Sequence, residues 1–136
     1  MDRFTAADLQ RLIEAKEDPV VSLYMPTIRS GREVQQNSIR FKNLLKRAED
    51  LLEHRNLSSQ QRNRILRKPH ELLDDESWWQ HQSDGLAMFL AEDLADSFRV
   101  PLPLEESVVV GARFHVRPLL RLLQEARDGH ALLERK

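Results

Sequence analysis

The chain has 136 residues, of which 40% are hydrophobic and 32% charged, with a formal net charge of −1 and no cysteine. This length suits one domain with one hydrophobic core, and the composition suggests neither a disordered chain nor a membrane protein. Without cysteine there is no disulfide framework, and no apolar run reaches the roughly 18 residues that cross a bilayer.

A helix and a strand, separated by Pro19, are the first predicted elements. Thr5 and Asp8 have the spacing of a capping box, in which each side chain bonds the backbone of the other residue at a helix start. An apolar stripe follows at helical spacing: Leu9, Leu12, Ile13 and Ala15. The run Val20–Met25 is rich in residues that favour strands, so it predicts a short, largely buried strand that ends at Pro26.

A long amphipathic helix is predicted from about Arg32 to Glu53. Its core face recurs at helical spacing: Val34, Phe41, Leu44, Leu45, Ala48, Leu51 and Leu52. A second stripe is polar and largely cationic: Arg32, Gln36, Arg40, Asn43 and Arg47. We therefore expect one side of this helix to pack on the sheet and another side to carry positive charge.

Another helix start is indicated by Ser58 and Gln61, which again have capping-box spacing. Proline lacks a backbone N–H and clashes with the preceding turn, so Pro69 is predicted to stop or kink this helix. A second short helix is then expected over His70–Trp79, with the proline at its start.

From Gly85 onward the pattern changes from helical to extended. The apolar run Leu86–Ala91 predicts a strand. Four apolar residues then alternate with an arginine and two prolines: Phe98, Val100, Leu102 and Leu104. Proline cannot donate to a strand ladder, so this segment is predicted to be an edge strand or an extended exit.

The last elements are a strand and a helix. Ser107–Val110 is β-branched on both faces, which predicts a central strand. Pro118 is expected to open a helix over Leu119–Ala126 that stops at Asp128 and Gly129. The element order predicts an α+β fold: a mostly antiparallel sheet of about four strands with helices packed on it, in one domain over residues 1–136.

The most prominent charge feature lies around the start of the long helix. Residues 28–68 contain eleven Lys and Arg against four Asp and Glu, whereas residues 69–112 contain one Arg against ten acids. Cations at the mouth of a helix add to the positive end of its dipole and could bind phosphate: Arg29, Arg32, Arg40, Lys42, Lys46 and Arg47. The alternative is a solvated face on which Lys46 and Arg47 pair with Asp50 and Glu49.

Other candidate sites are weaker. Trp78–Gly85, WWQHQSDG, could stack on and bind a nucleic-acid base, or could instead anchor a helix in the core, with Gly85 making a turn.

The five histidines lack metal-ligand spacing, and no serine lies in a nucleophile elbow. We therefore expect a non-enzyme without metal or cofactor. The acidic N-terminus has no signal-peptide core, which favours a cytoplasmic protein.

Four segments, in order, resemble the N-terminal domain of archaeo-eukaryotic class-I peptide-chain release factors, and more closely a bacterial branch of that superfamily. Ser22–Pro26 resembles the first strand of the family, and Asn37–Leu52 resembles the helix that carries the codon-decoding Asn-Ile-Lys-Ser motif. Asp84–Ala91 resembles a later strand, and Ser107–Leu123 resembles the strand, Phe-His pair and helix that leave the domain.

The chain departs from the decoding motifs of that family. The Asn-Ile-Lys-Ser tetrapeptide would fall near Asn37–Arg40 with its order disturbed. The Tyr-x-Cys-x-x-x-Phe pattern would fall on Val108, Val110 and Phe114, of which only the phenylalanine is kept, and no Gly-Gly-Gln tripeptide is present. The resemblance thus implies a translation-associated module that binds the ribosome or RNA, and not an active peptide-release factor.

The resemblance and the charge pattern together define the candidate RNA contacts: Arg29, Arg32, Asn37, Arg40, Lys42 and Arg47. No membrane or small-molecule cofactor is expected as a partner. The alternative is a protein-interaction or homo-oligomerisation domain, in which the basic face meets the acidic residues Asp74–Glu76 of a second copy or of another protein.

Overall fold

A four-stranded antiparallel sheet forms the centre of the structure, a computed structural model that describes residues 4–123. The strands lie in the order β3-β2-β1-β4. Their bounds are Val20–Pro26 for β1, Gly85–Ala91 for β2, Leu94–Val100 for β3 and Ser107–Gly111 for β4. The predicted α+β class, with helices packed on an antiparallel sheet, is confirmed.

Helices cover both faces of this sheet. They are α1 (Ala6–Glu14), α2 (Gln35–Glu53, preceded by a 3₁₀ turn at Arg32–Val34), α3 (Ser59–Leu73), α4 (Glu76–Trp79) and α5, described over residues 117–123. One hydrophobic cluster joins α2, α3 and α4 to one face of the sheet, and a second joins α1 and α5 to the other face. The capping boxes predicted at Thr5 and Ser58 are both present.

Strand β1 contributes to both clusters, because its side chains alternate between the two faces. Leu23 and Met25 pack toward α2, whereas Val20 and Tyr24 pack toward α1 and α5. Both β1 and β2 are central strands with apolar contacts on each side, which explains why neither shows a polar–apolar alternation in the sequence. Full burial of one such large side chain contributes about 1.5–3 kcal/mol.

The predicted stop of the helix at Pro69, with a second helix beginning at His70, is wrong. Helix α3 continues through Pro69 to Leu73, and the chain leaves the helix at Asp74 and Asp75. The carboxylate of Asp75 then caps α4 by accepting the N–H of Trp78 at 3.0 Å. The Pro69 side chain is buried beside the α3 residues that face the sheet, so tertiary packing offsets the missing hydrogen bond.

The predicted central position of Ser107–Val110 is also wrong. Within residues 4–123, β4 pairs only with β1 and forms an edge of the sheet. Val108 is buried, but Val109 is 36% exposed. A β-branched strand fits any half-buried pleated surface, so its composition does not distinguish an edge from a centre.

Other predictions hold only in part. The alternating segment does contain an edge strand, β3, but this strand ends before Pro101 and Pro103. Ile13 and Leu51 were expected in the core and are 53% and 40% exposed, since each lies at the margin of the apolar stripe of its helix. Helix α5 begins at residue 117. Its predicted end at residues 126–129 lies outside the described residues.

Candidate nucleic-acid interface

The loop between β1 and α2 is fixed at its base by hydrogen bonds to the segment that precedes β2. The N–H of Thr27 donates to the carbonyl oxygen of Asp84 at 2.9 Å, and the Thr27 hydroxyl donates to the carbonyl oxygen of Ser83 at 2.7 Å. Further along the loop, Gly31 has a φ of +97°, a conformation that favours glycine because it carries no Cβ. The loop therefore enters α2 along a defined path.

Asn37 ties the first turn of α2 back to this loop. Its side-chain N–H₂ donates to the carbonyl oxygen of Ile28 and its side-chain oxygen accepts the N–H of Ile28, both at 2.9 Å. The residue is only 2% exposed. Asn37 was predicted to contact RNA, but its polar atoms face the loop backbone, so we assign it a positioning role.

Arg29 forms a two-pronged ion pair with Asp84. Its Nε lies 2.8 Å from one carboxylate oxygen and its Nη2 lies 3.2 Å from the other. The hydrogen bond from Arg29 lowers the pKa of Asp84, and the same contact raises the pKa of Arg29. Both side chains lie at the surface, so this pair is expected to orient the loop more than to stabilise the fold.

Arg40 is also held by an acid of the same chain. Its Nε lies 3.4 Å from a carboxylate oxygen of Glu106, in the segment just before β4. This contact joins the N-terminal half of α2 to the edge of the sheet. Arg29 and Arg40 thus each have an intramolecular partner.

The remaining predicted cations are different. Arg32, Lys42 and Arg47 are exposed, and within residues 4–123 none of them forms an ion pair. The same is true of Lys46, so the local pairing with Asp50 and Glu49, which the solvated-face alternative required, is absent from this part of the chain. These four side chains form the open cations of the candidate interface.

The open cations of α2 lie in two rows. Lys42 and Lys46 are four residues apart and therefore neighbours on one side of the helix. Arg47 lies seven residues after Arg40, so the two side chains leave nearly the same side of the helix. The first turn of α2 contains no acid and no side-chain cap. The acid that lies just before this helix start is Glu33, in the preceding 3₁₀ turn.

A cleft of about 730 Å³ opens between the start of α2 and the junction of α3 with α4. Arg32 lines this cleft together with Asp74 and Glu76. These acids lower the positive potential around Arg32. The sequence does not reveal this effect, because both acids are distant from Arg32 along the chain. Ile39, which is 53% exposed, lines the same cleft and gives it an apolar wall.

Of the tryptophan pair, Trp79 lies in the core and Trp78 packs against it. Trp79 is 5% exposed, its ring N–H donates to the carbonyl oxygen of Leu72 at 2.8 Å, and it lies edge-on to Phe41. Trp78 is half-buried beneath the guanidinium of Arg99. The core interpretation of this segment therefore holds for Trp79, and its ring face is not open to a base.

Gly85 opens β2 and does not make the predicted turn. A Cβ at this position would lie 2.2 Å from the carbonyl oxygen of Leu102. The close approach of the two backbones explains why glycine is needed there.

The positions that the resemblance matched to a decoding pattern are apolar packing residues. Val108 and Val110 pack in the cluster beneath α2, and Phe114 lies 5.5 Å from Phe89 on the opposite face, ring centre to ring centre.

Sequence reasoning also missed the anchoring of the segment before α5. Ser22 accepts the N–H of His115 at 2.8 Å, and the Tyr24 hydroxyl donates to the carbonyl oxygen of His115. Burial raises the pKa of Tyr24.

The described part of the chain contains no group of three or more acidic or histidine side chains arranged to hold a metal ion. Among the helices of residues 4–123, none is long and apolar enough to cross a membrane. A scan against protein-family models found no match to this chain, and neither did a search of curated proteins.

Proposed function

We propose that this domain is a non-catalytic, translation-associated module that binds phosphates of ribosomal or messenger RNA through α2 and the loop before it. The observation that carries the proposal is the set of open cations, which have no acidic partner among residues 4–123: Arg32, Lys42, Lys46 and Arg47. The translational setting comes from the likeness to release-factor N-terminal domains, as does the expectation that the ligand is RNA.

The dimensions of this surface suit a nucleic-acid backbone. At a rise of 1.5 Å per residue, Arg32 to Arg47 extends over roughly 20 Å of surface, which is long enough for several phosphates. This surface is supported by three residues that fix the loop and the helix carrying it: Arg29, Arg40 and Asn37. Among the open cations, Arg32 is expected to contribute least to RNA affinity, because Asp74 and Glu76 line the same cleft.

The proposal is tested by charge reversal at two open cations. In the variant Lys42→Glu/Arg47→Glu, affinity for a labelled single-stranded RNA of mixed sequence should fall at least about tenfold at low salt. Co-sedimentation with bacterial small ribosomal subunits should fall in parallel. The matched control is Lys16→Glu/Arg117→Glu, which makes the same change in net charge at exposed positions after α1 and at the start of α5.

An equal loss of affinity in the two variants would indicate a general effect of net charge and would contradict the proposal. So would a wild-type chain that binds neither probe at low salt. Circular dichroism of both variants establishes that any loss of binding is not a loss of fold.

The alternative function is self-association or protein binding through the basic face and the acidic residues Asp74–Glu76. Its support is that these three residues are exposed at the junction of α3 and α4. Light scattering at low and high salt separates the two functions. Oligomers that dissociate on addition of salt, in a chain that binds no RNA, would favour the alternative.

A further inference from the structure

The two edges of the sheet differ in how they are protected. Within residues 4–123, no hydrogen bond outside the ladder with β1 reaches the backbone of Ser107–Gly111, so the outer side of β4 is open. Such an edge is a template for pairing with another strand, and proteins usually block it with charges, proline or a covering segment.

The opposite edge, β3, carries these blocking features. Asp96 lies within the strand and accepts a hydrogen bond from Arg11 of α1 at 3.0 Å. Arg99 lies in the same strand over the ring of Trp78, and Pro101 follows directly. Strand β4 has the sequence SVVVG, with neither charge nor proline, and Val109 at its centre is 36% exposed.

The sequence of β4 is also symmetric about Val109. In an antiparallel pair centred on this residue, Val108 would lie opposite Val110 of a second copy, and Ser107 would lie opposite Gly111. Valine therefore faces valine and a small residue faces a small residue. A strand that is complementary to itself suits a two-fold interface, in which the same surface is used twice.

The charges that flank β4 continue this complementarity. Glu105 lies two residues before the strand and Arg113 lies two residues after it, and both are exposed. In the register centred on Val109, Glu105 of one copy would meet Arg113 of the other, twice across the dimer. Neither residue has an ion-pair partner among residues 4–123.

We propose that β4 pairs antiparallel with β4 of a second copy of this chain, about a two-fold axis at Val109, to form one continuous sheet of eight strands. Two Glu105–Arg113 ion pairs fix the register. This pairing is made by the backbone edge of β4, and it does not depend on RNA binding.

The test is the oligomeric state of the full chain by sedimentation velocity from about 1 to about 100 µM. The wild type should form a dimer that dissociates on dilution. Val109→Lys introduces a blocking charge and should yield a monomer, whereas Ala95→Lys, an exposed position on the β3 edge, should leave the dimer unchanged.

The flanking charges supply a test that does not disturb the strand. Glu105→Arg or Arg113→Glu alone places like charges together and should raise the dimer dissociation constant at least about tenfold. The double variant Glu105→Arg/Arg113→Glu should restore dimerisation. A wild type that stays monomeric overturns the proposal and leaves this edge to a strand of another protein. A dimer that is insensitive to both single reversals overturns the register.

Discussion

The cations predicted to bind RNA form two groups that differ in their surroundings. Arg29 and Arg40 each contact an acid of the same chain, at 2.8 Å and 3.4 Å respectively. Lys42 and Arg47 lie on the same helix as Arg40 but have no such partner within residues 4–123. An arginine engaged with a carboxylate must lose that contact before it can bind a phosphate, whereas an open cation need not. Basic residues of one segment therefore have two roles. Arg29 and Arg40 tether parts of the fold, whereas Lys42 and Arg47 are open to a phosphate.

Asn37 extends the first group, because it holds the loop without any charge. Substitution of the tethering residues should therefore lower stability, and substitution of the open cations should lower affinity for RNA.

The largest expected effect is on stability, in Asn37→Leu. The substitution leaves the partly buried N–H and carbonyl of Ile28 without partners, so the free energy of unfolding should fall by about 1–3 kcal/mol in urea denaturation. Asn43→Leu is the matched control, since Asn43 is exposed on the same helix, and its effect should stay within about 0.5 kcal/mol. Equal effects of the two substitutions would show that Asn37 does not fix the loop.

The next effect separates the two groups of cations directly. Each phosphate contact to single-stranded nucleic acid adds about 0.7 to the slope of log affinity against log salt. Lys42→Ala/Arg47→Ala should therefore reduce the slope by about 1.4. Arg29→Ala/Arg40→Ala removes the same charge and should reduce it by less than half as much. A larger reduction in the second variant would reverse the assignment.

A smaller effect is expected when a tethered cation is released. Asp84→Asn removes the carboxylate that holds Arg29, so Arg29 becomes available to phosphate and RNA affinity should rise by a few fold at low salt. Asp93→Asn is the control, because it makes the same change in net charge at an exposed position outside the loop. A similar rise in both variants would mean that net charge alone is responsible.

The smallest effect concerns the titration of Asp84. Arg29 holds the pKa of Asp84 below its ordinary value, so the pair contributes to stability above the ordinary carboxylate range. That contribution is lost as pH falls through the lowered pKa. In Arg29→Gln the pKa should return toward the ordinary value, which NMR titration of the carboxyl carbon measures. Arg32→Gln should leave it unchanged.

Local signals in the sequence were sufficient for the elements that depend on neighbouring residues. The capping residues Thr5 and Ser58 predicted two helix starts correctly, and the apolar run at Leu86–Ala91 predicted β2. Pro69 was misinterpreted because the contacts that keep α3 intact come from distant parts of the chain. The same holds for β4, whose edge position depends on the order of strands in the sheet.

The candidate site was predictable only as a basic region. The acids that engage Arg29 and Arg40 are 55 and 66 positions further along the chain, so their proximity depends on the folded sheet. Buried polar residues present the same difficulty. Asn37, Ser22 and Tyr24 bond backbone groups that the strands and helices leave unpaired, and which groups these are is determined by the complete fold.

The central position of strand β1 determines which parts of the molecule unfold locally and which unfold last. It is bonded on both sides, by β2 and by β4, and it anchors the segment before α5 through Ser22 and Tyr24. Backbone amides in such a strand exchange their hydrogens with solvent only when the whole domain unfolds, whereas exposed loops exchange through local opening. The amides of Ser30 and Gly31, which lie beyond the anchored Ile28, should exchange orders of magnitude faster than those of Leu23 and Tyr24. Local opening at Ser30 and Gly31 should therefore leave the sheet intact.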